Sequence, residues 1–257
     1  MKLFTFATSP YARKVRIVLD HKGAPYEPIE RCYSLDRKDD LREASKRAEV
    51  PVLMLDDGRM IADSTIICEY LEQVYPTPAL YPKDAYDRAR MRMIEDLCDR
   101  TFDALGFGYY FSILRREAPE SAAMQQAAKD ECRALLENLE CELGTRDFFC
   151  GSQPSVADFA AICHVPLANA MRIDTSDLAG IMGWMRRMRD VPAVAADRER
   201  AARAWHGVEH LAAEFEGPDG RVHWRDHRLE WPIRHGFLDF VSGEFMAGKM
   251  MFPPDAA

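Results

Sequence analysis

The sequence changes character near residue 80, and this change limits what the chain can fold into. The first eighty residues alternate short strand-like runs with helical runs, whereas residues 85–205 have helical periodicity throughout. Between them lies the segment 75–82, which contains three prolines. Because proline disfavours helix in the residue before it and lacks a backbone donor, this segment predicts an extended linker. The sequence therefore predicts an α/β domain followed by an all-α domain.

The first domain is predicted to have the order βαβ, a connecting segment and ββα. Strands are predicted at 3–7, 26–30, 52–55 and 60–62, and helices at 10–22 and 64–75. The sharpest local feature is Asp56-Asp57-Gly58-Arg59, because Asp-Gly accommodates the unusual backbone angles of a tight hairpin turn. The last two strands are therefore predicted to form an antiparallel pair.

The second domain is predicted to be a helical bundle. Its helices are predicted near 85–116, 121–144, 155–170, 177–190 and 194–214. Ser155 and Asp158 have the spacing of a capping box, in which two side chains satisfy amides at the start of a helix. We expect this motif to be structural and not catalytic.

These patterns predict two domains, a linker and a C-terminal extension. Their bounds are predicted as 1–77, a linker at 78–86, a helical domain at 87–205 and an extension at 206–257. Aromatic residues are expected to pack the extension back onto the helical domain: Trp224, Trp231, Phe237 and Phe240. Such packing would place the extension over a site between the domains.

Composition and charge exclude several classes of function. With 34 basic and 42 acidic residues, the 257-residue chain has a formal charge of -8, which argues against a nucleic-acid partner. We expect no secretory signal and no membrane span. The seven cysteines are widely spaced without a CxxC pair, which favours a reducing, cytoplasmic location. Five of the seven histidines lie in 206–257, but without an HExxH pattern we expect no metal site.

One candidate for chemistry lies where the first strand passes into the first helix. Ser9 occupies the cap position and Pro10 the first helical position. Amide donors and the positive end of the helix dipole converge there, so a thiolate placed at this terminus would be stabilised. On this motif alone, a purely structural cap is equally acceptable.

Two further short motifs are ambiguous when each is taken alone. Val50-Pro51 precedes a predicted strand, and a Val-Pro dipeptide is ordinary in a loop. Asp63-Ser64 begins a predicted helix, with Ser64 placed to cap its exposed amides. Helix N-termini also bind carboxylates, so a ligand role remains open.

Taken together and in this order, the motifs resemble the glutathione S-transferase family. The stretch Ser9-Pro10-Tyr11-Ala12 is similar to the Cys-Pro-Tyr-Cys motif of glutaredoxins with both thiols replaced, a change typical of serine-type glutathione transferases. The resemblance covers residues 1 to about 205, and 63–71 is similar to bacterial members, including glutathione-dependent β-etherases. It implies a thioredoxin-like N-terminal domain, an all-helical C-terminal domain and a homodimer.

The resemblance also implies roles for individual residues. Ser9 would stabilise the glutathione thiolate, with Thr8 and Tyr11 as alternatives, although the helical spacing of Tyr11 favours packing. A cis Pro51 would expose the backbone of Val50 to the cysteinyl part of glutathione. The remaining glutathione contacts would come from Asp63 to the ammonium, Ser64 to the γ-glutamyl carboxylate, and Lys38 or Arg37 to the glycyl carboxylate. The family often has a glycine and a basic residue where this chain has Arg47-Ala48-Glu49.

The second substrate is expected to be a small apolar electrophile held between the domains. Aromatic residues of the first long helix of the second domain are candidates for its pocket, with two or three of them facing the cleft: Phe102, Phe107, Tyr109, Tyr110 and Phe111. The expected function is glutathione transfer. Two alternatives are a non-catalytic glutathione- or partner-binding protein, and a glutathione-dependent isomerase or ether- or halide-cleaving enzyme.

Overall fold

The first domain is a four-stranded sheet with two helices. A computed structural model of the chain describes residues 1–30, 41, 49–205, 207 and 222–252. The elements of the first domain are β1 (Lys2–Thr5), α1 (Pro10–His21), β2 (Glu27–Glu30), β3 (Val52–Met54), β4 (Met60–Ala62) and α2 (Ser64–Val74). The strand order is β2-β1-β3-β4, with β1 parallel to β2 and β3 antiparallel to both of its neighbours. This confirms the predicted thioredoxin-like class.

Local sequence explains the ends of these elements. Gly23 follows α1 with a φ of 62°, a conformation that favours glycine and ends the helix. Gly58, with a φ of 86°, forms the turn between β3 and β4, and its amide donates to the Leu55 carbonyl at 3.0 Å. The predicted antiparallel hairpin is confirmed.

The helical domain contains more breaks than its periodicity predicts. Its elements are α3 (Ala85–Asp96), a π-helical segment (Leu97–Phe102), α4 (Asp103–Leu114), α5 (Ser121–Leu143), α6 (Val156–His164), α7 (Leu167–Met171), α8 (Ala179–Asp190) and α9 (Pro192–Ala204). The single helix expected at 85–116 is therefore interrupted by a π segment, and the helix expected at 155–170 is two helices. The second break falls at Pro166, which has no amide to donate. The predicted capping box of Ser155 and Asp158 is confirmed.

Both domains share one apolar core, and buried charges cross between them. The carboxylate of Asp197 on α9 is fully buried. It accepts hydrogen bonds from Arg13 at 2.8 Å and from Arg16 at 2.9 Å, both on α1. Breaking these contacts would leave a buried charge without a partner. The contacts therefore fix the position of α9 relative to α1, and with it that of the helical domain relative to the first domain.

The described part of the C-terminal extension lies against α4. It comprises β5 (Val222–His223), α10 (Asp226–Arg234), α11 (Leu238–Met246) and β6 (Met250–Met251), and β5 pairs with β6 in parallel. Trp224 is buried edge-on against Phe107 and Phe111, at centroid distances of 5.1 and 5.3 Å. Trp231 is 2% exposed and packs on Gly108. No helix in the described ranges is long and apolar enough to span a bilayer.

Candidate functional site

The sheet brings the three ambiguous motifs to one edge. Phe4 of β1 pairs with Val52 of β3, and Val52 in turn pairs with Ala62 of β4, with both pairings antiparallel. The ends of β1 and β4 and the start of β3 therefore meet at the same edge. Ser9, Val50-Pro51 and Asp63-Ser64 follow or precede these strand ends, so the fold places them around one site.

Ser9 caps α1 with its hydroxyl and is almost fully buried. Its Oγ accepts from the Ala12 amide at 3.4 Å, and the residue is 2% exposed. A serine hydroxyl that accepts one hydrogen bond still has a proton to donate. The residues on either side, Thr8 and Pro10, line the large cavity described below, and Thr8 is half-buried. Ser9 thus lies in the chain between two residues that line the cavity.

Tyr11 uses its hydroxyl within the fold. The hydroxyl donates to the Asp99 carbonyl at 2.6 Å, and the Arg225 guanidinium lies 5.3 Å from the centre of the ring. Burial, and then the nearby Asp103 carboxylate, raise the pKa of Tyr11 well above its ordinary value. These contacts favour the packing role over a role as the thiolate partner.

A buried lysine ties the site to the helical domain. The Lys14 ammonium on α1 donates to Glu95 on α3 at 2.7 Å, to Thr65 on α2 at 3.2 Å, and also to Asp99. Burial alone would lower the pKa of Lys14, but Asp99 and Glu95 outweigh it and raise this pKa. Sequence reasoning missed this network. The sequence feature that could have revealed the network is Lys14 itself, a charged residue beside Val15 on the apolar face of α1.

Asp63, and not Ser64, is the cap of α2, which corrects the prediction for this helix. The Asp63 Oδ1 atom accepts from the amides of Thr65 at 2.9 Å and Ile66 at 3.3 Å. Asp63 has a φ of 82°, a strained conformation for a residue other than glycine. Ser64 is instead the first helical residue and is 4% exposed. Asp63 itself is exposed.

A polar cleft of about 450 Å³ opens beside α2, and its lining mixes both signs of charge. It is lined by Tyr11, Asp63, Ser64, Thr65, Ile66, Arg92, Glu95, Asp96, Asp99, Arg100, Arg225, Asp226 and His227. Cations and carboxylates in one cleft suit a zwitterionic ligand such as a γ-glutamyl group. Three of these residues belong to the extension, which was not expected to reach this cleft.

The Val50–Pro51 peptide bond is cis, as the family resemblance implied. Pro51 is buried and Val50 is half-buried. The preceding Glu49 lies 3.4 Å from Arg225 and 3.7 Å from His223, so the extension contacts the loop on which the cis bond lies. Lys38 and Arg37, the predicted partners of the glycyl carboxylate, lie outside the described residues.

An apolar cavity of about 630 Å³ lies between the domains. Of the aromatic residues predicted for it, Phe102, Phe107, Tyr110 and Phe111 contribute to its lining. Tyr109 is not among the described lining residues; it is 9% exposed, and its hydroxyl donates to the Ala170 carbonyl at 3.4 Å. The residues on one side of α4 therefore line the cavity, whereas Tyr109 points towards Ala170.

The extension closes one side of this cavity. Val222 and Arg228 contribute to the lining, and Arg228 lies 4.9 Å above the Phe107 ring. Arg228 is anchored by Asp103, which accepts from its Nε at 2.7 Å and lies 2.8 Å from His227 Nε2. Burial would raise the pKa of Asp103, but Arg228 and His227 hold it well below its usual range.

The protein's own thiol in the cavity is unsuited to be a nucleophile. Cys163 contributes to the lining, but burial raises its pKa to about 12. At neutral pH this thiol remains protonated, whereas the nucleophile is a thiolate. In the described part of the chain, no cluster of His, Cys, Asp and Glu is arranged to hold a metal.

The fold and its two adjoining sites define a two-domain protein with a thioredoxin-like domain, a polar ligand cleft and an apolar cavity. Residues 3–79 match the glutathione S-transferase N-terminal domain family, and residues 102–192 match the C-terminal domain family. A probable glutathione S-transferase of rice (Oryza sativa subsp. japonica) is 32% identical over 81% of this chain and 87% of its own length. The chain therefore belongs to the glutathione S-transferase family.

Not every similar protein is named a glutathione S-transferase. FtsZ-localized protein A of Caulobacter vibrioides is 27% identical over 84% of this chain and 97% of its own length. Two solved structures are also similar. A glutathione S-transferase of Methylobacterium radiotolerans in complex with glutathione sulfonate is 28% identical, with a TM-score of 0.68 over 76% of this chain and 93% of its own. A zeta-class bacterial maleyl pyruvate isomerase is 26% identical, with a TM-score of 0.67 over 80% and 99%.

Proposed function

We propose that this protein is a glutathione transferase in which Ser9 stabilises the thiolate of bound glutathione. The observation that carries the proposal is the position of Ser9 at the start of α1. Its two neighbours, Thr8 and Pro10, contribute to the apolar cavity, while Tyr11, two residues on, contributes to the polar cleft. A sulfur atom held at Ser9 would thus lie between a peptide in the cleft and an electrophile in the cavity.

Glutathione is proposed to bind along the edge of the sheet. Its γ-glutamyl carboxylate would approach the start of α2 at Ser64, and its ammonium would approach the exposed carboxylate of Asp63. Its cysteinyl backbone would pair with Val50, which the cis bond at Pro51 leaves half-buried. Lys38 stays a proposed partner of the glycyl carboxylate.

The reaction is proposed to depend on ionisation of the thiol and on proximity. The bound thiol loses its proton to solvent, and the Ser9 hydroxyl donates a hydrogen bond to the resulting sulfur anion. Lowering a thiol pKa from about 8.5 by about two units requires about 2.7 kcal/mol of preferential stabilisation. One charge-assisted hydrogen bond and a helix N-terminus can supply this amount. The thiolate then attacks an electrophile held in the cavity by Phe102 and Tyr110.

The test is the ionisation of bound glutathione in three variants. We expect Ser9→Ala to raise the thiol pKa in the binary complex by about one to two units, measured from the ultraviolet absorbance of the thiolate against pH. Thr8→Val removes the adjacent hydroxyl at nearly constant shape and should leave this pKa unchanged. Ser9→Thr, which keeps a hydroxyl, should restore it. If Thr8→Val raises the pKa and Ser9→Ala does not, Thr8 is the thiolate partner.

A second candidate is glutathione-dependent isomerisation, favoured by the similarity to the maleyl pyruvate isomerase. A third is binding without turnover, favoured by the similarity to FtsZ-localized protein A. Product analysis distinguishes the three. Conjugation converts glutathione into a lasting thioether, isomerisation returns it unchanged, and a binding protein takes up glutathione but turns over no electrophile.

We also propose that the protein is a homodimer and that it is cytoplasmic. Exposed apolar side chains on β4, α2 and α3 support a homodimer: Met60, Ile66, Tyr86 and Met93. A cytoplasmic location agrees with the use of reduced glutathione and with the free thiols among the described cysteines.

A further inference from the structure

The apolar cavity has a strongly basic lining. Four arginines contribute to it: Arg13, Arg189, Arg198 and Arg228. Among the described residues that line it, Asp103 is the only carboxylate. The polar cleft differs, because its arginines are accompanied by five acidic residues. Since the chain as a whole carries a formal charge of -8, the excess of arginine at the cavity is local.

The charge of Asp103 is already compensated within the wall of the cavity. Its two carboxylate oxygens accept from Arg228 at 2.7 and 3.0 Å, and His227 Nε2 lies 2.8 Å away. Asp103 and Arg228 therefore form a bidentate pair that contributes little net charge to the cavity. The basic excess must come from the other side of the cavity.

On that side, the arginines nearest α1 are balanced by carboxylates. Asp197 accepts from Arg13 and Arg16 at 2.8 and 2.9 Å, and Arg200 lies 3.7 Å away. Two further carboxylates are near these groups: Asp20 lies 3.6 Å from Arg200, and Glu30 interacts electrostatically with Arg16 and Arg200. Three guanidinium groups are thus balanced by three carboxylates, and Arg13 adds no net charge to the lining.

Arg189 and Arg198 supply the excess of positive charge in the lining. Arg189 lies in the last turn of α8 and Arg198 lies on α9, and both are exposed. Neither forms an ion pair with a carboxylate in the described ranges. The neighbouring acids, Asp190 and Glu199, do not contribute to the described lining of the cavity, and Glu199 lies 3.8 Å from Arg203.

We propose that the electrophile is an aromatic anion whose acidic group binds between Arg189 and Arg198. This inference rests on the proposed transferase function and names its substrate class. The ring would lie against Phe107, Tyr110 and Trp205, while the two guanidiniums would bind a carboxylate or sulfonate at the mouth. The sequence predicted a small apolar electrophile; the proposed electrophile has an apolar ring and, in addition, an acidic group.

The reaction balances without a further reactant for an aryl chloride that bears a carboxylate. The glutathione thiolate forms a carbon–sulfur bond at the ring carbon, and chloride leaves with the electron pair of the broken carbon–chlorine bond. The thiol proton has already passed to solvent. The carboxylate remains unchanged and serves only to bind.

The test separates binding from turnover by using two inert probes. 3,5-Dinitrobenzoate and its uncharged amide, 3,5-dinitrobenzamide, have no leaving group and match in shape. We expect calorimetry to show the benzoate binding about ten-fold more tightly than the amide, with a preference that weakens as salt is added. In Arg189→Gln/Arg198→Gln the preference should vanish through weaker benzoate binding, while amide affinity changes less than about two-fold.

A matched control is available on the same two helices. Arg186 and Arg203 are exposed and do not contribute to the described lining of the cavity, so Arg186→Gln/Arg203→Gln makes the same change in net charge elsewhere. This control should keep the benzoate preference. Equal affinity of the wild type for both probes, or loss of the preference in the control as well, would overturn the proposal.

Turnover of the reactive pair distinguishes this inference from the transferase proposal. With 4-chloro-3,5-dinitrobenzoate and its amide, we expect the wild type to favour the benzoate in kcat/KM through a lower KM, and the cavity variant to lose that preference. If neither compound is conjugated but the arginine-dependent binding of 3,5-dinitrobenzoate persists, the anion site stands and the transferase function fails. If both are conjugated without preference, the transferase function stands and the anion site fails.

Discussion

At the scale of single residues, Asp63 combines a backbone conformation that favours glycine with a side chain that caps a helix. Its backbone has a φ of 82°, which favours glycine, yet its carboxylate caps α2 through the amides of Thr65 and Ile66. Glycine would relieve the strain but could not cap the helix or face an ammonium. The cap explains why a side chain with an oxygen acceptor is present, and the proposed contact with the ammonium would explain why it carries a charge.

Two substitutions of Asp63 separate helix capping from the proposed contact with the glutathione ammonium. Asp63→Asn keeps an oxygen for the cap and tolerates positive φ, so we expect the free energy of unfolding to change by less than about 0.5 kcal/mol. Asp63→Ala loses the cap and should cost about 1 kcal/mol in urea unfolding. Glutathione binding to Asp63→Asn should weaken several-fold, because the charge that faces the ammonium is gone.

The matched ligand is glutaryl-cysteinyl-glycine, which lacks that ammonium. Its affinity should be the same for wild type and Asp63→Asn. Equal weakening of both ligands would show that Asp63 acts on the shape of the site and not on the ammonium.

At the scale of elements, the fit of α10 against α4 depends on a glycine. A Cβ atom added to Gly108 would lie 2.5 Å from the Trp231 ring, whereas one added to Gly243 on α11 would meet nothing within 4 Å. We expect Gly108→Ala to displace α10 and to destabilise the fold by about 1–3 kcal/mol. Gly243→Ala should stabilise it by about 0.5–1 kcal/mol.

Thermal unfolding measures both changes in stability, and limited proteolysis shows whether α10 has moved away from α4. Trypsin should cleave the extension faster in Gly108→Ala than in the wild type. If the two alanine variants behave alike, the contact between Trp231 and Gly108 does not hold the extension in place.

The anchor between Asp103 and Arg228 should make stability depend on pH. The pKa of Asp103 is lowered in the fold, so its contribution to stability is fully present above its unfolded value, about 4, and is lost as pH falls through the lower folded pKa. We expect Asp103→Asn to cost about 3 kcal/mol at neutral pH, because Arg228 and His227 lose their charged partner. The difference from wild type should shrink below about pH 4.

Urea unfolding across this pH range checks the prediction. Asp226→Asn is the control, because that carboxylate also contacts His227, at 2.9 Å, but its side chain is 79% exposed. It should change stability by less than about 0.5 kcal/mol. An equal loss in both variants would mean that burial of Asp103 adds nothing.

At the scale of the whole molecule, the proposed homodimer can be tested through Met93. Its side chain is 69% exposed on α3, and the ion pair of Arg92 and Glu69 joins α3 to α2, which carries the exposed Ile66. We expect Met93→Arg to lower the mass measured by light scattering from that of a dimer to that of a monomer, because a charge would be buried without a partner. Phe245→Arg, on the far-off α11, should leave the dimer intact.

Local chemistry is what the sequence could reveal by itself. The hairpin at Gly58, the cap at Ser9 and the capping box at Ser155 each depend on residues within a few positions of one another, so their spacing in the chain is their geometry. The change from mixed to helical periodicity separated the two domains for the same reason. The family resemblance added the order of these motifs, and with it the thioredoxin-like class.

Only the tertiary structure decided how distant residues complete the site. Lys14 and Glu95 are 81 positions apart, and Asp103 and Arg228 are 125 apart. No local pattern marks such partners, because burial by the surrounding elements creates the need for them. The same holds for Tyr109, whose direction on α4 depends on packing and not on its aromatic type. The sequence predicted that aromatic residues pack the extension over a site between the domains, but the charged contacts of the extension, such as that of Arg228 with Asp103, form only in the folded protein.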